Sequence, residues 1–409
     1  MRVLVCNKFY RPFGGPETVL EDTSRLLEAD GHEIVPFSMQ HPDNWPTKWS
    51  DYFVSQVDYH ADPGLLAKVK EAGKIIHSGE AKRKVEALLD AAKPDIAHCH
   101  NIYHQLSPSI FGPMKERGIP IVMTLHDAKL ACPNMLFYVG GETCERCRGG
   151  KFYNAVIHRC VFGSRTASAV CAFELYVHRL TKVYQKNVDV FISPSQFLID
   201  AVTRCGGAGR RMLHIPNIAK VDLFTPTYDN DGYILYLGRL TPDKGLQTLI
   251  RAVSMVDGAK LVVVGTGVQA DEMKALADEL APGRVQFAGF LTGEPLKRVI
   301  ERCAFYVMPS QCNENCPCTI LEAYSSGKPV IGSRIGGIPE LINEGVDGFL
   351  FEPGNHEDIA ERISALLSDP AQVPEMGKAG RERMEKAYSP QAHYRRLMAV
   401  YEELTAGRQ

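Results

Sequence analysis

A chain of 409 residues with 45% hydrophobic and 23% charged side chains is too apolar to remain disordered, and at about 100 to 200 residues per domain it is expected to form two domains with cores of their own. Its 46 basic against 48 acidic residues leave a formal charge of −2, which excludes the cationic excess of a general nucleic-acid binder. Twelve cysteines are too sparse for a disulfide framework and read as thiols or metal ligands in a reducing compartment.

The opening run Met1-Arg2-Val3-Leu4-Val5-Cys6 is too short for a secretion signal and reads as a first buried strand. Further strands are predicted over residues 33–37, 95–99, 120–124 and 188–193, alternating with helices. The helix over 16–30 stops at Gly31. Ala81, Val85, Leu88, Leu89 and Ala92 form one inward helical stripe. Lys82, Arg83 and Lys84 beside it, with Lys68, Lys70 and Lys74, make a basic region. That region reads either as a solvated face or as a surface drawn to an anionic leaflet, where each basic residue contributes about 1 kcal/mol.

His98 and His100 alternate onto one strand face near Cys99 and His104, with no carboxylate or thiol partner at a metal spacing, so strand-end packing or acceptor contact is preferred. His126 follows the strand at 120–124, where a lone histidine is as often a satisfied core residue as a functional one. Cys144-Glu145-Arg146-Cys147 has the two-residue spacing of a zinc knuckle. With Cys132 and Cys160 on either side and glycine pairs at 140–141 and 149–150, four thiolates would close a structural zinc site. The other reading is a set of unpaired thiols in a lid.

A stretch at 215–232 separates a second strand series over 233–237, 260–265, 285–288, 304–308, 329–332 and 348–351. The fold class is therefore α/β with two Rossmann-like halves, an N-terminal domain over 1–215 and a C-terminal domain over 216–388. A helical tail over 389–409 is expected to fold back on the first. Asp229-Asn230-Asp231 precedes a strand rather than following one, so it reads as a turn and not as a metal-binding Asp-x-Asp motif. No run approaches the ~20 apolar residues of a membrane span, so a cytoplasmic protein touching the membrane at most peripherally is expected.

The densest chemistry follows the strand at 304–308, in Ser310-Gln311-Cys312-Asn313-Glu314-Asn315-Cys316-Pro317-Cys318-Thr319-Ile320-Leu321-Glu322. Pro317 is predicted at the first position of a helix whose bare amides, from Asn315 to Ile320, suit phosphate or sugar oxygens. Glu322, a turn further on, suits a vicinal diol such as a ribose, and Glu314 another part of the same ligand.

Two Glu seven residues apart, then Ser326-Gly327-Lys328-Pro329-Val330 and Gly336-Gly337-Ile338-Pro339-Glu340, resemble the donor signature of the family 4 retaining glycosyltransferases, also called glycosyl transferases group 1. The resemblance extends to Leu237-Gly238-Arg239-Leu240 with Lys244-Gly245 and to Gly14-Gly15, nearly the whole chain. It implies the GT-B fold, two Rossmann-like domains facing across a cleft that binds a nucleotide diphosphate sugar. Glu322 would take the ribose and Glu314 the transferred hexose, beside the amides of Asn315 and Cys316 and with Cys318, Thr319 and Ile320 at the helix start. Arg239 and Lys244 would clamp the diphosphate without a catalytic metal. Gly14 and Gly15 would admit a phosphate, and His126 would meet the sugar at its reacting centre. The departing phosphate takes the acceptor proton in such enzymes, so no protein nucleophile is assigned.

The same resemblance implies a glycan or polyprenyl-linked acceptor in cell-surface polysaccharide synthesis, such as exopolysaccharide or lipopolysaccharide. Gln311-Cys312 and Cys318 depart from the apolar and aromatic residues common in the family, which leaves the sugar open; a UDP-sugar is favoured over a GDP-sugar. A sugar-nucleotide epimerase would need a further acid/base set that is not visible, and a non-catalytic sugar-nucleotide binder would not need the intact Glu pair and cationic clamp.

Overall fold

Runs of β-branched residues followed by amphipathic helices fold into two parallel six-stranded sheets in the computed structural model, which describes residues 1–56, 73, 75–207 and 211–407. Lys68, Lys70 and Lys74 of the expected basic region lie outside the described residues. In chain order the strands are β1 (Arg2–Cys6), β2 (Glu33–Phe37), β3 (Ile96–Cys99), β4 (Ile121–Thr124), a hairpin of β5 (Tyr138–Val139) and β6 (Glu142–Thr143), then β7 (Val190–Ser193) and β8 (Met212–His214). They continue as β9 (Ile234–Leu237), β10 (Leu261–Val264), β11 (Val285–Gly289), β12 (Phe305–Met308), β13 (Val330–Ser333) and β14 (Gly348–Phe351).

The sheets run in the orders β2-β1-β3-β4-β7-β8 and β11-β10-β9-β12-β13-β14. Each therefore reverses direction at one point, between β1 and β3 in the first and between β9 and β12 in the second. Loops leaving the carboxyl ends of strands at such a reversal are where open α/β sheets bind ligands.

Two units emerge. One comprises Met1–Leu136, Glu145–Pro216 and Tyr394–Gln409, and the other Phe137–Cys144 and Asn217–His393. In the second, alternate strand residues enter opposite cores. Ile234, Tyr236, Val263, Val307 and Ile331 pack on one face, and Leu235, Val264, Tyr306, Met308 and Val330 on the other. Both faces are covered by helices, which is why these strands read as continuous apolar runs. In the first unit, Leu397, Met398 and Tyr401 of the helix Pro390–Thr405 enter the core beside Val3 and Val5 of β1. Full burial of each such aliphatic side chain contributes roughly 1.5–3 kcal/mol.

Helix boundaries follow local chemistry. The first helix is Gly15–Ala29, ended by Gly31 at φ +80°, whose amide donates to the Glu28 carbonyl at 3.0 Å. The stripe Ala81, Val85, Leu88, Leu89 and Ala92 is buried along the helix Gly79–Ala92, which Ser78 caps by accepting from the Ala81 amide. The strand expected from 188 begins at Val190. Val188 still closes the preceding turn on Tyr184, and the Asp189 carboxylate accepts from Lys115 and from the Ile121 amide. Pro317 is not the first helical residue but the cap, with extended ψ of 118°, and the helix is Cys318–Ser325. Among the described residues, no helix is long and apolar enough to cross a membrane.

Candidate active site

At the reversal between β9 and β12, two loops of the second unit converge. Leaving β9, the chain passes Gly238 and Arg239 and makes a short turn, Pro242–Lys244, capped by Gly245. Gly245 has φ +69°, and a β-carbon there would stand 1.9 Å from the Pro309 carbonyl oxygen. Only glycine permits that approach, and it lays the Lys244 turn against the loop leaving β12. The Gln311 amide donates to the Asp243 carbonyl at 2.8 Å and ties the same two loops together.

Lys244 Nζ consequently lies 2.5 Å from Glu314 Oε1, which also accepts from Ser310 Oγ at 2.7 Å. Both side chains of the pair are largely buried, at 18% and 15% exposure. Burial alone would depress the Lys244 ammonium, but the charge and hydrogen bond of Glu314, with Cys312 and Asp243 beside it, together hold the lysine above its ordinary range. Asp243, 3.8 Å from Lys244 and 3.6 Å from Arg239, is held below the usual carboxylate range. Burial would raise it, yet the Thr241 hydroxyl and the two cations prevail. The Arg239 side chain is 67% exposed, so its guanidinium keeps most donors available to an incoming anion.

The Glu314 backbone is fixed from the other side by the glycine pair. The Gly337 amide donates to the Glu314 carbonyl at 2.7 Å, and a β-carbon on Gly336, at φ +59°, would stand 2.3 Å from that oxygen. Asn217 Nδ2 donates to the Cys316 carbonyl at 2.9 Å. Downstream, the Ile320 amide is already bonded to the Pro317 carbonyl at 3.2 Å, while the Tyr306 hydroxyl donates to Thr319 Oγ1 at 3.0 Å. Asn315, Cys318, Thr319 and Glu322 are half-buried along the loop and helix start, and Cys316 is buried. Burial, with help from Glu314 at Cys312, pushes the Cys312 and Cys316 thiols up to about 12. Near pH 7 they stay protonated.

In the first unit, loops leave β1, β3 and β4. Gly14 and Gly15 open the first helix, exposed, with nothing closer than 3.6 Å to a β-carbon at either. Three imidazoles stack in a row: His98 on His100 at 4.4 Å and His100 on His126 at 5.1 Å between centroids. His100 Nδ1 and His126 Nε2 share a hydrogen bond of 2.8 Å. His98 bonds Tyr401 Oη at 2.6 Å and Thr124 Oγ1 at 2.7 Å. Burial, and secondarily the Lys8 charge, lowers His126 to about 3, so its ring is neutral near pH 7. His98 and His100 share one face of the strand end, as their alternation predicts, and both are buried.

Some of this was not legible. Asn7, just after β1, donates to Glu17 at 3.0 Å and to the Phe9 carbonyl at 2.7 Å, pinning the loop to Gly14 from below. Lys129 Nζ, fully buried, lies 2.7 Å from Glu174 Oε2 and 2.9 Å from His104 Nε2. Burial would raise the Glu174 carboxyl, but Lys129 and His104 bring it down to about 2. His104, Cys171 and Glu174 place ligand atoms within 4.8 Å of one another, but the Lys129 ammonium supplies the cation there. A lysine and a glutamate 45 positions apart carry no sequence signal for such a pairing.

Cys132 and Cys147 are buried and Cys160 half-buried in the first unit, and Cys144, also half-buried, belongs to the second. Asp231 pairs with Arg302, and Asn230 Oδ1 accepts from the Gly232 amide, so the Asp229-Asn230-Asp231 stretch is a turn. In the basic region, Lys84 donates to the Asp51 carbonyl at 2.7 Å and Lys82 lies 3.9 Å from Glu86.

The chain belongs to Glycosyltransferase Family 4, whose profile matches residues 13–223, more than half of its length. Residues 223–383 match Glycosyl transferases group 1. The chain is 34% identical over 156 residues to the sulfoquinovosyl transferase of Arabidopsis thaliana, a stretch covering 37% of this chain and 30% of that one. It is 30% identical over 181 residues to an amylovoran biosynthesis glycosyltransferase of Erwinia amylovora, covering 42% and 44%. The chain thus spans less than half the length of these curated relatives. Its fold is that of Anabaena Alr3699/HepE, solved in complex with UDP and glucose, at 18% identity and a TM-score of 0.67 over 98% of this chain and 100% of that one. The architecture is GT-B, and the relatives of this glycosyltransferase-family chain include proteins named for amylovoran and for lipopolysaccharide core biosynthesis.

Proposed function

We propose that this glycosyltransferase moves a hexosyl unit, with retention, from a nucleotide diphosphate sugar to a glycan or polyprenyl-linked acceptor in cell-surface polysaccharide assembly. The observation that carries the reading is the Lys244–Glu314 pair at the reversal of the second sheet. A donor diphosphate takes over the positive charge that Glu314 satisfies here, and frees that carboxylate to accept from sugar hydroxyls. Arg239 supplies the second cation, the amides near Asn315 and Cys316 and the helix start at Cys318 and Thr319 add donors, and Glu322 takes the ribose. Charge building on the leaving diphosphate is met by fixed cations and amides, so no metal is required.

His126 offers a neutral imidazole, oriented by His100, to the transferred sugar, and Gly14 and Gly15 admit a phosphate oxygen close to the backbone. A UDP-sugar is favoured, in line with the UDP held by the Anabaena neighbour, with a GDP-sugar as the other candidate. The four cysteines Cys132, Cys144, Cys147 and Cys160 are proposed as structural zinc ligands on their spacing and flanking glycines. Contact of the Lys82, Arg83, Lys84 surface with an inner leaflet is likewise a proposal, resting on its charge.

A screen of UDP- and GDP-sugars tests the reading, by thermal stabilisation and slow donor hydrolysis. One donor should raise the melting temperature and be hydrolysed, and Arg239→Ala or Glu314→Ala should each cut transfer at least about tenfold, ~1.4 kcal/mol of barrier. Wild-type turnover by both variants contradicts these roles.

A further inference from the structure

The hairpin β5–β6 belongs to the second unit although the chain around it, up to Leu136 and from Glu145, belongs to the first. Its strands pair Tyr138 with Thr143 and Val139 with Glu142. The turn is Gly140-Gly141, at φ +63° and +90°, with open space around both α-carbons. At its base the Phe137 carbonyl accepts two hydrogen bonds, from the Cys144 amide at 2.7 Å, which closes the hairpin, and from Asn313 Nδ2 at 3.1 Å. Asn313 immediately precedes Glu314 in the loop leaving β12.

Phe137 itself is in the left-handed region at φ +48°, with its ring buried. A phenylalanine rarely adopts that backbone, and such outliers persist where the surroundings over-determine them and often where function uses them. Here the outlier lies at the residue whose carbonyl meets the loop. Gly336 and Gly337 hold the Glu314 carbonyl, so the segment Asn313–Glu314 is tethered at both residues.

We infer that the hairpin is a positioning element for the sugar-nucleotide loop, fixing the Glu314 backbone through the Asn313–Phe137 hydrogen bond. This rests on the proposed donor role of that loop. The hairpin touches no reacting atom in this account; it sets how well the loop is preorganised, and therefore how tightly the diphosphate is held.

The test is calorimetric titration of the full chain with UDP and with GDP. Four proteins are compared: wild type, Asn313→Ala, the turn variant Gly140→Val/Gly141→Val, and their combination. Valine is strongly disfavoured at positive φ, so the turn variant loosens the hairpin at a tip remote from the loop. Asn313→Ala should weaken binding of the preferred diphosphate at least fivefold and the turn variant at least threefold. The combination should bind no more weakly than Asn313→Ala alone, because both act through one tether.

Independent, multiplying losses, or wild-type affinity in Asn313→Ala, overturn the inference and leave the donor role standing. Should Asn313→Ala fail to melt cooperatively, Asn313→Leu replaces it, since it keeps the branched shape and removes the N–H donor without adding a charge. Wild type binding neither UDP nor GDP overturns the donor role and the inference with it.

Discussion

Gly245 passes so close to Pro309 that a β-carbon on it would stand 1.9 Å from the Pro309 carbonyl oxygen, and this approach brings Lys244 to Glu314. Gly245→Ala must push the two loops apart. Donor hydrolysis should fall at least about tenfold, ~1.4 kcal/mol. Gly258→Ala is the control: its φ is +76° with open space around it, so it should cost about 1 kcal/mol of stability and leave hydrolysis unchanged.

Lys129 and Glu174 form a buried ion pair at 2.7 Å with each side chain 1% exposed. Lys129→Met strands the carboxylate, and removing one partner of such a pair typically costs about 3–5 kcal/mol. In chemical denaturation the double variant Lys129→Met/Glu174→Gln should recover part of that loss. Additive losses would contradict the pairing.

The pH dependence has a definite sign. His126 is lowered to about 3 in the folded state, so unfolding takes up a proton there below the unfolded value of about 6.5. The stability it contributes is full above pH 6.5 and is lost as pH falls through that window toward 3. Glu174, lowered to about 2, contributes stability that is lost only as pH falls below about 4.5. Between pH 6 and 5, wild type should therefore lose stability more steeply than His126→Gln, by up to about one proton or ~1.4 kcal/mol per pH unit. Parallel denaturation midpoints across that range would contradict a neutral His126.

Metal analysis addresses the cysteines. One zinc per chain is expected, lost together with thermal stability on chelation and retained by a Cys171→Ala variant. Zinc-free protein with an unchanged melting temperature would remove that proposal.

Both sheets could be read from the chain because parallel strands buried on two faces are runs such as LVVV at β10 and VFIS at β7, which local composition marks by itself. The loop proposed to hold the donor stands out through the family resemblance of Glu314, Glu322 and Gly336-Gly337, and the structure sets the two glycines against the Glu314 backbone. What stayed hidden depends on contacts between residues far apart in sequence. The Asn313–Phe137 bond spans 176 positions and the His98–Tyr401 bond 303; neither asparagine nor tyrosine announces such a partner. Pro317 was misplaced by one residue because its φ suits a cap and a first helical position equally, and ψ decides between them.

The most direct test of the central claim is the affinity of wild type and Lys244→Gln for free UDP and GDP, measured by titration at one pH and salt concentration. Wild type should bind one of them, and Lys244→Gln should bind it at least about tenfold more weakly, ~1.4 kcal/mol. Equal affinities would show that the cation beside Glu314 does not hold a diphosphate.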